Sequence, residues 1–209
     1  MRFNRARGSF VCRISTVPYP ESMPTRRKGR EPPAPYLGRV TEIARQLELL
    51  DLRPVLVGGM ALVMLGSRRV TRDFDFVIAQ PGEQLAGALD AFYDRGLELA
   101  AKLNEAGEVT ATISSRRVAA ARLRLDKPEG AFFYDPENGL RIDVLFDFPI
   151  PARELADRSL SAKTPVGRLR MASEEDLLKL KMIARTNRSL STDEQDIAFL
   201  ESRRNLPRE

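Results

Sequence analysis

Residues 57–79 read VGGMALVMLGSRRVTRDFDFVIA and combine two glycines, a short apolar segment and two closely spaced aspartates. Gly58 and Gly59 follow a β-branched run, which predicts a tight strand-to-helix turn. Asp73 and Asp75 stand at the start of a second apolar strand. Burying one carboxylate costs several kcal/mol unless it is paired, and two adjacent like charges cost more. The two acids therefore either lie in water at a strand end or hold a cation.

Strand periodicity places these two acids on one face. Residues two apart in a strand point to the same side, so Asp73 and Asp75 project together and Phe74 and Phe76 project to the opposite, buried side. Such a pair is positioned to bridge one or two divalent ions. A D-x-D pair alone is a weak signal, because the spacing also occurs by chance at exposed strand ends.

A third acid follows in LRIDVLFDF, residues 140–148. This strand alternates, so that Arg141, Asp143, Leu145 and Asp147 share one face. Asp143 stands on a strand with apolar neighbours, and a metal shared with the first two acids would explain an acid there. Asp147, close to the end of the strand, is expected to be solvated.

The amino-acid composition excludes several kinds of catalytic and metal site. The 209 residues include no histidine and one cysteine, Cys12, which excludes Ser-His-Asp catalysis, histidine ligation and internal disulfides. Carboxylates without soft ligands favour a hard cation such as Mg²⁺ or Mn²⁺. No apolar run is long enough to span a membrane, and a reducing, cytoplasmic setting is expected.

The net charge of +5 suits a polyanionic partner such as a nucleotide or a nucleic acid. Much of the excess lies in the first 36 residues, where TRRKGREPPAP joins a basic run to prolines. These residues are predicted to form a disordered basic tail, with a nucleic-acid-binding arm as the alternative.

The remaining pattern predicts an α/β chain of the α+β type, a small mixed sheet flanked by helices with a short helical part at its C-terminal end. Helices are predicted in residues 38–51, 60–66, 83–96 and 153–158. Residues 97–113 are compatible with helix or strand, and RVAAARLRLD (117–126) alternates at its end like a strand. A hairpin through KTPVGRLRM and two helices follow, the first opened by a capping box of Ser173 and Asp176.

One competing motif is rejected. DFDFV fits the D-x-D-x-[TV] of haloacid-dehalogenase-like phosphatases, in which the first acid ends a buried apolar strand. Here GSRRVTR precedes Asp73 and the apolar strand follows it, so the order is reversed.

The block VGGMALVMLGSRRVTRDFDF resembles the signature of the polymerase-β-like nucleotidyltransferase superfamily. In that signature Gly-Gly or Gly-Ser ends a strand, a helix follows, and a D-x-[DE] pair opens the next strand. Asp143 in RIDVLF matches its third acid. The form of the block is most similar to AbiEii-type toxins and related minimal nucleotidyltransferases, in which a lysine helix precedes an acidic helix, as Lys181 and Asp196 do here.

The resemblance implies transfer of a nucleoside monophosphate from an NTP to an acceptor hydroxyl. Asp73, Asp75 and Asp143 would be the catalytic and metal-binding residues, with Mg²⁺ or Mn²⁺ as the cofactor. The nucleotide would be bound by four further residues: Gly58, Gly59, Arg69 and Lys181. Gly59 departs from the serine that many members place there, which leaves only backbone donors.

Two of these residues have equally plausible structural roles. Arg69 is either a phosphate contact or a surface charge beside Arg68 and Arg72. Lys181 is either a phosphate contact, the partner of Asp196, or part of a solvated helix face.

The resemblance leaves the acceptor open. It is tRNA or another RNA, as in a toxin of a toxin–antitoxin system with a cognate antitoxin, or else a protein or an antibiotic-like small molecule. A non-catalytic nucleotide-binding domain is the third alternative. The expected organisation is a tail (1–36), a nucleotidyltransferase core (37–158) and a C-terminal hairpin with helices packed on the core (159–209).

Overall fold

The computed structural model of the protein describes residues 34–187 and 191–204. Most of the predicted basic tail, including Cys12, lies outside the described residues. Residues 34–36 do not belong to that tail, because the first helix already begins at Ala34. Pro35 is compatible with this early start, since the N–H that proline lacks has no partner in the first helical turn.

Within the described residues, helices and strands alternate along most of the chain. The helices are α1 (Ala34–Leu49), α2 (Gly58–Met64), α3 (Leu85–Tyr93, preceded by a 3-10 turn at Gly82–Gln84), α4 (Arg116–Asp126), α5 (Ala152–Asp157), α6 (Glu174–Asn187) and α7 (Ser191–Arg204). The strands are β1 (Val55–Val57), β2 (Phe74–Ile78), β3 (Glu98–Leu103), β4 (Val109–Ile113), β5 (Gly130–Tyr134), β6 (Arg141–Phe146), β7 (Leu160–Thr164) and β8 (Gly167–Met171). None of the helices in these two stretches is long and apolar enough to cross a bilayer.

The strands form one mixed sheet in the order β4-β3-β5-β6-β2-β1-β8-β7. At its centre β2 and β6 are parallel, whereas β2 and β1 are antiparallel. The predicted α/β fold class with a mixed sheet is confirmed. The predicted hairpin is β7–β8, and β8 pairs with β1, so the sheet continues across residue 158 into the C-terminal part.

One face of the sheet is apolar and covered by helices. Phe76, Ile142 and Val144 are buried on this face, and α1 and α3 pack against each other beside it. Phe92 of α3 stacks on Phe133 of β5 with ring centroids 3.8 Å apart. Because alternate residues project to opposite sides, the aspartates of β2 and β6 are directed to the other face.

The segment 117–126, which alternates like a strand, is in fact helical. Ser115 caps α4, because its hydroxyl accepts a hydrogen bond from the N–H of Val118 (3.5 Å). The three consecutive alanines favour a helix, and the alternation is incidental: Leu123 packs on the core while Leu125 is 83% exposed. The open segment 97–113 forms the hairpin β3–β4.

Asp147 is half-buried, so part of the predicted solvent exposure remains, but the main chain also holds its side chain. Its carboxylate accepts hydrogen bonds from the N–H of Gln80 and of Ala152, both at 2.8 Å. It therefore ties the chain after β2 to the start of α5. At α6 the predicted cap by Ser173 is present, since its hydroxyl accepts from the N–H of Asp176 (3.1 Å). The Asp176 carboxylate accepts from that same hydroxyl (2.8 Å), and not from the N–H of Ser173 as in a full capping box.

Candidate active site

The polar face of the two central strands carries the three predicted acids. Asp75 of β2 stands directly opposite Asp143 of β6 in the parallel register. Asp73 precedes β2 by one residue and lies two positions from Asp75. Asp75 and Asp143 are half-buried and Asp73 is exposed at the mouth of the site.

The protein disfavours the charged form of Asp75 and Asp143. Loss of hydration raises the pKa of Asp75, and the adjacent charge of Asp73 raises it further, against the opposing charges of Lys181 and Arg141. The pKa of Asp143 is raised to about 7, first by burial and then by the charge of Asp75. Strands hold these carboxylates together at an electrostatic cost, which is common at functional sites.

Asp73 behaves similarly although it is exposed. The protein atoms around its carboxyl group raise its pKa, while the charges of Arg141, Arg72 and Arg69 lower it. The three acids thus form one negatively charged group with arginines at its border.

Arg141 makes the closest contacts to this group. Its guanidinium donates to both oxygens of Asp143, from Nε to Oδ1 at 2.6 Å and from Nη2 to Oδ2 at 2.8 Å. Nη1 donates to the carbonyl of Gly107 (3.0 Å), and the guanidinium carbon lies 4.7 Å from the centre of the Phe132 ring. A carboxylate, a carbonyl and an aromatic ring therefore fix one guanidinium among the acids.

The two glycines allow close approach of charged side chains. Gly58 has φ +65°, and a Cβ there would lie 2.0 Å from Oδ2 of Asp75. The N–H of Gly59 donates to the Asp75 carboxylate and lowers its pKa. A Cβ on Gly59 would lie 2.9 Å from Cζ of Arg69. A side chain at either position would displace a charged group of the site.

Arg69 and Lys181 meet in an ion cluster beside the acids. Arg69 and Lys181 both pair with Asp196, the latter with Nζ–Oδ2 at 2.7 Å, and Lys181 also contacts Asp193 at 3.2 Å. Lys181, Asp193 and Asp196 are buried. Of the alternatives for Lys181, the structure therefore has the pair with Asp196. The cluster joins α6 and α7 to the segment before β2.

The side chains of Asp73, Asp75 and Asp143 suit a hard divalent cation, since all three are carboxylates. As the side chains stand, however, no three acidic groups within residues 34–187 and 191–204 converge closely enough to hold one ion. Asp143 is engaged by Arg141, which accounts for part of this mismatch.

Sequence reasoning missed two residues of the site. Arg141 was placed on the face of Asp143, and the R-x-D spacing on one strand is the signal that links them. Asp193 lies three residues before Asp196, and this D-x-x-D spacing on one helix face is its signal, but its contact with Lys181 depends on how α6 and α7 pack.

Comparison with known protein families shows the class of protein to which this fold and acidic face belong. The family described as "Nucleotidyl transferase AbiEii toxin, Type IV TA system" matches residues 43–209. The chain belongs to this family, which confirms the predicted resemblance to AbiEii-type toxins. The comparison with curated protein sequences gives no match.

Solved structures share the fold at low identity. The solution structure of the antibiotic-resistance factor ANT(2'')-Ia matches with a TM-score of 0.53 and 11% identity, over 82% of this chain and 85% of that one. The crystal structure of ANT(2'')-Ia with adenylyl-2''-tobramycin gives 0.53 and 12%, over 82% and 90%. At such identity the likeness concerns the fold.

Proposed function

We propose that the protein transfers a nucleoside monophosphate from an NTP to an acceptor hydroxyl with the help of a divalent cation. The observation that carries this proposal is the in-register pair of Asp75 and Asp143 beside Asp73, held together although burial and mutual repulsion raise their pKa values. A divalent cation would neutralise such a group.

Asp73, Asp75 and Asp143 would hold Mg²⁺ or Mn²⁺, which supplies charge neutralisation at the phosphates. The acceptor oxygen forms a bond to the α-phosphorus, the bond from that phosphorus to the oxygen bridging the α- and β-phosphates breaks, and pyrophosphate leaves. Asp143 takes the proton of the acceptor hydroxyl.

Four further residues would bind the nucleotide. Gly58 lies against the Asp75 side chain and the N–H of Gly59 donates to its carboxylate, so this turn is next to the acids, which supports a role beside the phosphates. Arg69 and Lys181 would contribute positive charge next to the phosphates. Their pairing with Asp196 would hold both cations in place rather than leave them as mobile surface charges.

An RNA acceptor is supported by the segment 67–72, here called the arginine arm. Its side chains alternate, with Arg68, Val70 and Arg72 exposed and the residues between them half-buried. Val70 is 87% exposed. Neither Arg68 nor Arg72 forms an ion pair within the described stretches, although the charge of Arg72 acts on Asp73.

Free guanidinium groups suit phosphates, and an exposed apolar side chain between them suits a base or a ribose. The arginine arm directly precedes Asp73, so a polyanion bound along it would present a hydroxyl to the acids. As a member of a type IV toxin family, the protein would act in the cytoplasm and be opposed by a cognate antitoxin.

The acceptor is tested by incubating the protein with each labelled NTP, Mg²⁺ or Mn²⁺, and separate RNA, protein and small-molecule fractions. We expect label in RNA. Label in the protein or small-molecule fraction would replace the RNA proposal with the alternative acceptors. Absence of label from all three, with nucleotide still bound, would indicate the non-catalytic alternative.

A further inference from the structure

The guanidinium of Arg141 occupies a fully formed binding position among the three acids. Its Nε and Nη2 reach both oxygens of Asp143, its Nη1 reaches a main-chain carbonyl, and its face lies over Phe132. The Arg141 side chain is 13% exposed. Such a side chain has few alternative conformations.

The register places this cation next to each of the three acids. Phe74 pairs with Ile142, so Asp73 stands opposite Arg141 on the neighbouring strand, and Asp75 stands opposite Asp143. The charges of Asp73, Asp75 and Asp143 all act on Arg141. Arg141 is therefore the cation that acts on all three acids, at the place where a divalent cation would bind.

The two-oxygen contact between Arg141 and Asp143 also accounts for part of the failure of the three acids to converge on one ion position. Arg141 is two residues from Asp143 on the same strand, and a bidentate contact draws the carboxylate along its own strand. With both oxygens engaged, Asp143 offers the ion fewer free lone pairs than Asp75 does.

We infer that Arg141 is a positioning residue that acts as an internal counterion, holding Asp143 in the metal-free protein and yielding it when a divalent cation binds. The inference rests on the proposed function, since it concerns the same acids. In the metal-free protein a cation would have to displace Arg141 from the Asp143 carboxylate or share that carboxylate with it. Arg141 would therefore weaken metal binding in the absence of nucleotide.

The test is Mn²⁺ binding by the full chain without nucleotide, followed through the electron paramagnetic resonance signal of free Mn²⁺. Arg141→Gln should bind Mn²⁺ about tenfold more tightly than the wild type, because a unit charge beside the ion is removed. Arg158→Gln is the matched control: Arg158 makes the same two-oxygen contact with the buried Asp176, at 3.2 and 3.0 Å, at the start of α6. The Arg158→Gln variant should bind Mn²⁺ with the same affinity as the wild type.

Phe132→Leu keeps the charge of Arg141 and removes the ring on which it lies, and it covers the case in which Arg141→Gln does not fold. It should bind Mn²⁺ two- to threefold more tightly than the wild type. Unchanged or weaker Mn²⁺ binding by the folded variants would overturn the inference, since a merely structural arginine would alter stability and leave metal affinity alone.

Labelled-NTP turnover separates this inference from the proposed function. If the wild type turns over NTP with Mn²⁺ but Arg141→Gln does not bind Mn²⁺ more tightly, the counterion role of Arg141 is refuted and the proposed function stands. A wild type without any metal-dependent turnover refutes the proposed function. Tighter Mn²⁺ binding by Arg141→Gln supports the counterion in both cases.

Discussion

The protein contains two neighbouring clusters of charged side chains that are built on opposite principles. On the sheet face, Asp73, Asp75 and Asp143 outnumber their closest cation, Arg141. In the second cluster two acids, Asp193 and Asp196, meet two cations, Lys181 and Arg69. Among the described residues, acids outnumber their closest cation in the first cluster, whereas the second has as many cations as acids.

This difference suggests that the first cluster serves the reaction, whereas the second mainly stabilises the fold. A group of carboxylates with excess charge costs folding energy and gains from a bound cation, so it suits catalysis. A balanced buried cluster contributes little net stability but makes its geometry obligatory, because removal of one partner leaves a buried charge without compensation. We expect substitutions in the first cluster to change activity at little cost in stability. Substitutions in the second cluster should lower stability first, and replacing Arg69 or Lys181 should lower activity as well if these side chains contact the phosphates.

The largest effect is expected for Asp75→Ala. Loss of this carboxylate should lower metal-dependent NTP turnover about a hundred- to thousandfold, and thermal stability should be unchanged or higher because repulsion among the acids is relieved. Turnover of labelled NTP and thermal unfolding measure the two effects. Asp157→Ala, at an exposed acid of α5, is the control and should retain full activity. Equal activity of both variants would contradict the assignment.

The second prediction concerns the balanced cluster. Lys181→Met should lower the free energy of unfolding by about 3 kcal/mol, since Asp193 and Asp196 lose a buried cation. Urea unfolding measures the loss. Lys179→Met makes the same change on the same helix at an exposed pair with Glu175 and should cost less than about 0.5 kcal/mol. A similar cost for both variants would show that the buried cluster does not support the fold.

A third substitution tests the contact between the glycine turn and the acids. Gly58→Ala places a Cβ 2.0 Å from Oδ2 of Asp75 and should lower turnover about tenfold or more by displacing that carboxylate. Positive φ adds about 1–2 kcal/mol of strain. Gly82→Ala carries similar strain at φ +49° with nothing within 4 Å of the new Cβ, so it should lose stability and keep its activity. If the two variants are equally active, close approach to Asp75 is not what requires glycine.

The smallest effect is expected in the arginine arm. Replacing Arg68 and Arg72 by Gln should lower kcat/KM for RNA about three- to tenfold at physiological salt and weaken its dependence on salt concentration. Replacing Arg117 and Arg124 of α4 is the control: both are exposed, and α4 packs against α3, which covers the apolar face of the sheet and not the face of the acids. An identical response of both double variants would indicate general attraction rather than binding along the arm.

The sequence predicted the parts of the site that depend on local periodicity. Strand alternation alone put Asp73 with Asp75 and put Arg141 with Asp143 on their faces. Asp143 was joined to the first two acids because an acid on an apolar strand needs a partner and because the family resemblance has a third acid; the pairing of β2 with β6 that brings it there has no local signal. The RVAAARLRLD segment shows the limit of periodicity, because alanine content and the Ser115 cap outweigh a short alternation of arginine and leucine.

Other features depend on contacts between distant segments and had no sequence signal. The position of Arg141 is completed by Phe132 and by the carbonyl of Gly107, which come from other parts of the sheet. Asp147 is engaged by two main-chain N–H groups that meet only in the folded chain.

The central claim is that the acids with excess charge bind a divalent cation. Mn²⁺ titration of the wild type and of a double variant, Asp75→Asn with Asp143→Asn, tests it most directly in the presence of a non-hydrolysable NTP. The account predicts saturable Mn²⁺ binding by the wild type and at least tenfold weaker binding by the double variant. Equal binding by the two folded proteins would contradict it.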